Sequence, residues 1–448
     1  MSICSDIISR AQKIDLDECE SVFCTKKTIT VRITDSEIAE IKENYGSSVG
    51  IRLVKDKKIS SAQSNATDYD KIIEEALHAG KNLSRREFWK SYPVGSKDIP
   101  IEKTNDSKLW EMDSAKAIEL AQSMIDSALH QKITRISGSL NIVCDDFEIA
   151  NSSGLQKSEK ATYISGLINA DSETGIPVSG IGQTNSRVLD LFDVTKIGAD
   201  ARQMCVNSIN PDTIQNKITS IIFEPQAVGE LLYFVLGPNF NLKTFSEGRS
   251  CFSEIGEKIA INGFSLVDDP HVPNSLGAKS FDDEGVSTNQ RHYIRDGILE
   301  GTYSDTYNAL KENTISTGNA CRFGVPLGRS TDPIPVSAPH NLSIVPGNQT
   351  RNEIIQNTQD GILVGRLWYT YPVNPIKGDF SCTARSGIFQ IKYGQIKPIK
   401  SVRIIHNLPI LLKNISAIGN DSKVVLPWAG LPVTCPTIKC DGIAVSSI

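Results

Sequence analysis

Beyond Lys217 the chain turns strand-rich and offers one well-marked helix, and this constrains its fold more than any other feature. Thr350, Arg351, Asn352 and Glu353 form a capping-box sequence ahead of Ile354 and Ile355. In such a box the threonine hydroxyl accepts a backbone N–H and the glutamate accepts one in return, which fixes a helix start. Gly361 is expected to stop that helix, and ILVGRLWYT has the apolar, aromatic content of a buried strand. GDFSCTARSGIFQIKYGQIKPIKSVRII reads as a hairpin turning at Tyr393 and Gly394. Many strands with few helices predict an α+β chain. N-terminal helix and antiparallel-sheet domains should be followed by a β-rich C-terminal domain, barrel-like or a sandwiched sheet.

A chain of 448 residues exceeds one hydrophobic core and predicts two or three domains. The first, residues 1–87, opens with Ile3, Ile7, Ile8, Ala11 and Ile14 at helical spacing. SVFCTKKTITVRITDSEIAEIKEN then alternates as half-buried strands do, a hairpin turns at residues 55–58, and DYDKIIEEALHAGKN is helical. Polar, Pro/Gly-marked residues 88–106 read as a linker. The central α+β domain, 107–211, has a helix over 114–130 with a stripe of Ile118, Ala121, Ile125, Ala128 and Leu129. Strands follow, with a turn at Asn151, and a helix over 196–207. The β-rich domain occupies 217–448.

Composition removes several function classes. Net charge is −5 and the basic residues are dispersed, so no face is built to neutralise phosphates, and nucleic acid is not an expected partner. No apolar run approaches the ~20 residues that cross a bilayer, and the N-terminus lacks a leader's basic start and apolar block. A cytoplasmic protein is expected, with no membrane partner. Its ten cysteines include no Cys-x-x-Cys pair and are expected reduced and packed.

There is no Gly-x-Ser-x-Gly elbow and no phosphate-binding loop, and Gly180-Ile181-Gly182 lacks the third glycine of a dinucleotide fingerprint. Asp282, Asp283 and Glu284 suit metal ligation or acid–base work only if histidines converge on them, His271 and His292 being nearest in sequence. The preferred reading is a charged turn ending at Gly285, solvated or holding a loop. STGNACR, residues 316–322, either lines a peptide groove or ties down a turn through Thr317 and Asn319. Cys321 lies within it with no histidine partner announced, and all six histidines look isolated.

Ordered markers across residues 221–421 carry a resemblance. They include Asp268-Asp269-Pro270, Phe281 to Gly285, Asp305 with Tyr307 and Ala309, Ser316 to Ala320, Asn341-Leu342, Pro346-Gly347 and Gly378 to Ser381. The set resembles the TldD/PmbA family, on its PmbA (TldE) side, whose members work as a paired cytosolic zinc peptidase. The metal-bearing branch carries His-Glu-x-x-x-His; the matching positions here are Tyr233, Phe234 and Pro238, which supply no ligand set. That branch also uses a cysteine from a glycine-rich stretch near its C-terminus. Here Cys435 and Cys440 follow LPWAG in what reads as the last strand, so the ligand role is not carried over.

The resemblance implies a non-metal subunit with no cofactor and no catalytic residue of its own, zinc being held by a TldD-like partner in a heterodimer that cleaves unfolded peptides. Asp283, Glu284, Thr317, Asn319 and Arg322 are the candidate peptide-binding residues. Two alternatives stand beside it: an independent hydrolase with a displaced active site, and a non-catalytic homodimeric peptide binder.

Overall fold

The computed structural model describes residues 2–95, 97–428 and 431–448; Met1, Ser96, Ala429 and Gly430 lie outside the described residues. Its N-terminal half is one antiparallel sheet of six strands: β1 (Glu18–Thr34), β2 (Glu37–Lys55), β3 (Lys58–Ser64), β4 (Arg135–Asn151), β5 (Gln156–Ser172) and β6 (Val178–Ser186). Their spatial order is β3-β2-β1-β4-β5-β6, so the strands of residues 1–87 and of 107–211 join along β1 and β4. Each half repeats one plan, helix, three strands, helix. Helices Ile3–Ala11 and Tyr69–Gly80 cover the first half, and Ser114–Ala128 and Val194–Asn207 the second.

Local chemistry sets these elements. Ser2, Asp68, Asp113 and Asp193 cap the four helices, each side chain accepting a backbone N–H of the first turn. The β2–β3 turn places Asp56 and Lys57 at positive φ between paired Lys55 and Lys58, a two-residue turn whose twist suits a hairpin. The first helix ends at Ala11, leaving Ile14 outside it and 40% exposed. On Ser114–Ala128 the buried stripe is Ala117, Ala121, Met124, Ile125 and Ala128, and the expected Ile118 and Leu129 point outward. Small Ala117 replaces Ile118 because the helix lies close on the sheet.

Gly180 and Gly182 have the same cause. A Cβ on Gly182 would stand 1.9 Å from the Ile197 carbonyl oxygen, and one on Gly180 2.1 Å from that of Ala201. The pair lets helix Val194–Asn207 rest directly on β6. Within residues 88–106, Trp89 and Tyr92 are buried, and Trp89 Nε1 donates to Glu18 at 2.8 Å, so the start of the segment is docked, while Val94 and Ile99 are exposed.

The C-terminal half holds the closed barrel that strand-rich composition allowed. Strand β7 (Lys217–Phe223) pairs with Asp360–Asn374 and Ile438–Ser447, and Val402–Asn407 and Asp379–Lys392 complete the circuit back to Asp360–Asn374. Its core continues onto the helical path after β7 through Phe223, Val228, Leu232 and Leu236. The capping box at Thr350 is present in full, and the hairpin turns at Tyr393-Gly394 between paired Lys392 and Gln395. The capped helix ends at Gln356, however, and Gly361 lies inside the strand. Asn357 supplies the helix C-cap four residues earlier than the glycine.

Candidate functional site

A cleft of about 450 Å³ opens between the N-terminal sheet and the C-terminal half. Asn141, Tyr163 and Ser165 form its sheet wall; Tyr233, Lys279, Cys321 and His340 face them. Tyr233 comes from a helical path that begins with Pro225 at a helix N1 position and runs Pro225–Leu231 as α-helix. It then widens to a π turn, Leu232–Leu236, closed by the Gly237 N–H on the Leu232 carbonyl, and tightens to 3₁₀ over Gly237–Phe240. Pro238 therefore does not cut the path short; it sits early in the 3₁₀ turn, where its missing N–H is not needed. Pro238 is exposed, and the Tyr233 and Phe234 rings meet edge to face at 4.7 Å.

Sequence reading missed the pairing of Cys321 with His340, which lies 19 residues on and whose Nδ1 comes 3.9 Å from the Cys321 sulfur. His340 Nε2 sits 2.7 Å from the Gly318 carbonyl oxygen, which only accepts. The ring proton is thus on Nε2, and Nδ1 is left to receive the thiol. Burial lowers the imidazole pKa despite nearby Asp268, and burial pushes the Cys321 thiol up to about 12. A thiolate is disfavoured there, so the pair is a packed contact at the cleft wall rather than an activated nucleophile.

The acidic turn is not solvated. Asp282, Asp283 and Glu284 are fully buried because arginines from distant segments meet them. Arg52 on β2 bridges Glu20 on β1 and Glu284, its Nη2 lying 2.7 Å from each. Arg322 donates its backbone N–H to Asp283 at 2.6 Å and its guanidinium to Glu20. Arg329 Nε reaches Asp283 at 2.8 Å, and its other nitrogens bond Glu159 and the Phe281 carbonyl.

Burial raises the Asp283 carboxyl, but Lys279 and Arg329 outweigh it and hold the group well below the usual range. Glu284 is likewise lowered, Arg52 and the Thr306 N–H overcoming burial. Asp282 goes the other way: burial and the neighbouring Glu284 push it up to about 8, against three backbone N–H bonds. The network locks the C-terminal half onto the sheet.

The proposed peptide contacts are placed by this geometry. Asp283, Glu284 and Arg322 are committed to the ion network and do not line the cleft. Thr317 and Asn319 tie down their turn: Thr317 bonds the Ser304 backbone, and Asn319 donates to Asp268 at 2.9 Å. Asp268 also accepts from the Tyr293 hydroxyl and the His340 and Asn341 N–H groups, which joins three of the ordered markers, those at Asp268, Asn319 and Asn341, into one hub. The His271 ring meets the Thr288 hydroxyl and not the Asp282–Glu284 turn, while its backbone N–H donates to Asp269.

Residues 216–447 match the PmbA/TldA metallopeptidase C-terminal domain, and residues 19–80 match PmbA/TldA metallopeptidase domain 1. The chain belongs to the PmbA/TldD metallopeptidase family. It is 25% identical over 419 residues to Metalloprotease PmbA of Escherichia coli O157:H7, covering 90% of this chain and 88% of that one. A protein named Metalloprotease from Methanothermobacter thermautotrophicus is 23% identical over 445 residues, covering 96% and 92%. The crystal structure of TldE from Thermococcus kodakarensis superposes with a TM-score of 0.88 at 26% identity over 99% of both chains.

For a member of a metallopeptidase family, the donor set here does not fit a zinc centre. Catalytic zinc takes three protein ligands of His, Cys, Asp or Glu type. Tyr233 is a phenol whose pKa burial raises, Phe234 carries no donor atom, and Pro238 is exposed with none either. Cys435 lies in the short strand Val433–Cys435 and Cys440 in the last strand; both are fully buried, and burial raises both thiols. Among the described residues no group of three or more His, Cys, Asp and Glu side chains is arranged to hold a metal, and no helix is long and apolar enough to cross a membrane.

Proposed function

We propose that this chain is the TldE/PmbA-like, non-metal subunit of a cytoplasmic two-subunit zinc peptidase acting on unfolded peptides. The zinc belongs to a TldD-like partner, and this chain forms part of the peptide chamber. The observation that carries the reading is Tyr233, Phe234 and Pro238 on a helical path whose π turn bonds Gly237 to Leu232, five residues apart, with Tyr233 and Pro238 offset by the same five. That is the spacing of the outer histidines in His-Glu-x-x-x-His, with the ligands replaced and one replacement, Tyr233, lining a cleft. The cleft's size suits a peptide segment.

The competing reading, an independent hydrolase, draws on the Cys321–His340 contact, and the high thiol pKa weighs against it. The test is co-expression with a relative bearing His-Glu-x-x-x-His, followed by sizing and a cleavage assay on an unstructured peptide. Heteromer formation with activity dependent on both chains is expected; full activity of either chain alone would sink the proposal.

A further inference from the structure

Five arginines of the described residues are more than nine-tenths buried: Arg52, Arg187, Arg322, Arg329 and Arg366. Four spend their guanidinium donors inside the protein. Arg52, Arg322 and Arg329 meet carboxylates, and Arg187 donates to the carbonyls of Thr162, Ser275, Ala278 and Thr104. Arg366 is different. Its side chain forms no ion pair and no hydrogen bond among the described residues, its Nε is buried without a partner, and its guanidinium lies over the Trp368 ring at 4.3 Å. Glu230 attracts it from a distance while Arg385 repels it. A buried charge left unpaired is strongly unfavourable, so such a group persists where something outside the chain completes it.

Arg366 faces a pocket of about 130 Å³ whose other walls include Ser139, Asn141, Ser165, Thr184 and Asn185. Hydroxyls and amides around one guanidinium suit a small planar anion, and Arg presents a fork that fits a carboxylate. The pocket adjoins the main cleft, sharing Asn141, Ser165 and Leu426 with it. A peptide in the cleft thus has a polar end-stop beside it.

We propose that the Arg366 pocket is a carboxylate-binding subsite that anchors a peptide held in the adjoining cleft. This rests on the peptide-handling reading above. The carboxylate comes either from the peptide's C-terminus or from an Asp or Glu side chain.

Fluorescence anisotropy on the full chain, with a labelled unstructured decapeptide lacking acidic side chains, tests this. The peptide is compared as free acid, as C-terminal amide, and as an amide carrying one internal Glu. At least one carboxylate-bearing form should bind about 10–100-fold tighter than the plain amide, the worth of a charge-assisted hydrogen-bonded pair. Which form gains identifies the source. Arg366→Gln should abolish the difference and Arg366→Lys keep part of it. The wild-type comparison stands even where Arg366→Gln folds poorly. Equal binding of all three peptides overturns the carboxylate subsite and leaves the peptide reading intact; binding of none overturns both.

Discussion

Arg52→Met is the sharpest perturbation of the buried ion network. Arg52 makes three charge-assisted hydrogen bonds, two to Glu20 at 2.9 and 2.7 Å and one to Glu284 at 2.7 Å. Removing one side of a buried pair costs about 3–5 kcal/mol, because the partner is left charged in a dry site. Here both partners keep some compensation: Glu20 retains Arg322, and Glu284 retains the Thr306 N–H at 2.8 Å. The lower end, about 3 kcal/mol, is therefore expected, a more than hundredfold rise in the unfolded fraction. Urea unfolding followed by circular dichroism measures it. Adding Glu284→Gln to Arg52→Met should restore about 1–2 kcal/mol, since the stranded charge is removed. A loss under about 1 kcal/mol for the single variant, or strict additivity in the double, would refute the claim that these charges hold the halves together.

Three further outcomes follow from particular groups. Asp283, with its folded pKa depressed, contributes stability present above the unfolded value of about 4 and lost as pH falls below it. Asp282, raised to about 8, holds a proton in the native state that the unfolded chain lacks, so stability should decline from about pH 4 to 8 and level above. Melting temperatures across pH 3–9 on wild type and Asp282→Asn check both limbs, the variant flattening the second. Gly182→Ala should lose about 3 kcal/mol, because its Cβ would meet the Ile197 carbonyl at 1.9 Å; an unchanged melting temperature would contradict the close packing of helix on β6. The triple variant Tyr233→His, Phe234→Glu, Pro238→His should bind zinc weakly and cleave nothing alone, since two histidines fall short of three ligands and the C-terminal cysteines Cys435 and Cys440 are buried in strands. Zinc titration with a cleavage assay decides, and efficient cleavage would show that one of those thiols reaches the site.

Elements written in local chemistry were legible in the sequence. The capping box at Thr350, the two-residue turns at Asp56-Lys57 and Tyr393-Gly394, and the alternating strands of the N-terminal sheet depend on neighbours a few residues apart. What depends on distant partners was not. The acidic turn at Asp282–Glu284 reads as solvated until Arg52, Arg322 and Arg329 arrive from elsewhere to neutralise it. The burial of Trp89 needed Glu18 to receive its indole N–H. Gly180 and Gly182 carried a signal that could have been used, since paired glycines in a strand often mark a close backbone approach. At the site, the replaced positions Tyr233, Phe234 and Pro238 were readable by register with the family. The Cys321–His340 contact and the unpaired Arg366 are products of folding alone.

In the proposed function this chain works beside a metal subunit without holding the metal. Metal analysis of the purified chain, with peptide cleavage assayed on the same sample, tests it most directly. Substoichiometric zinc and no cleavage are expected from this chain alone, with both zinc and activity gained on adding the partner. Stoichiometric zinc bound by this chain, accompanied by cleavage without any partner, would contradict it.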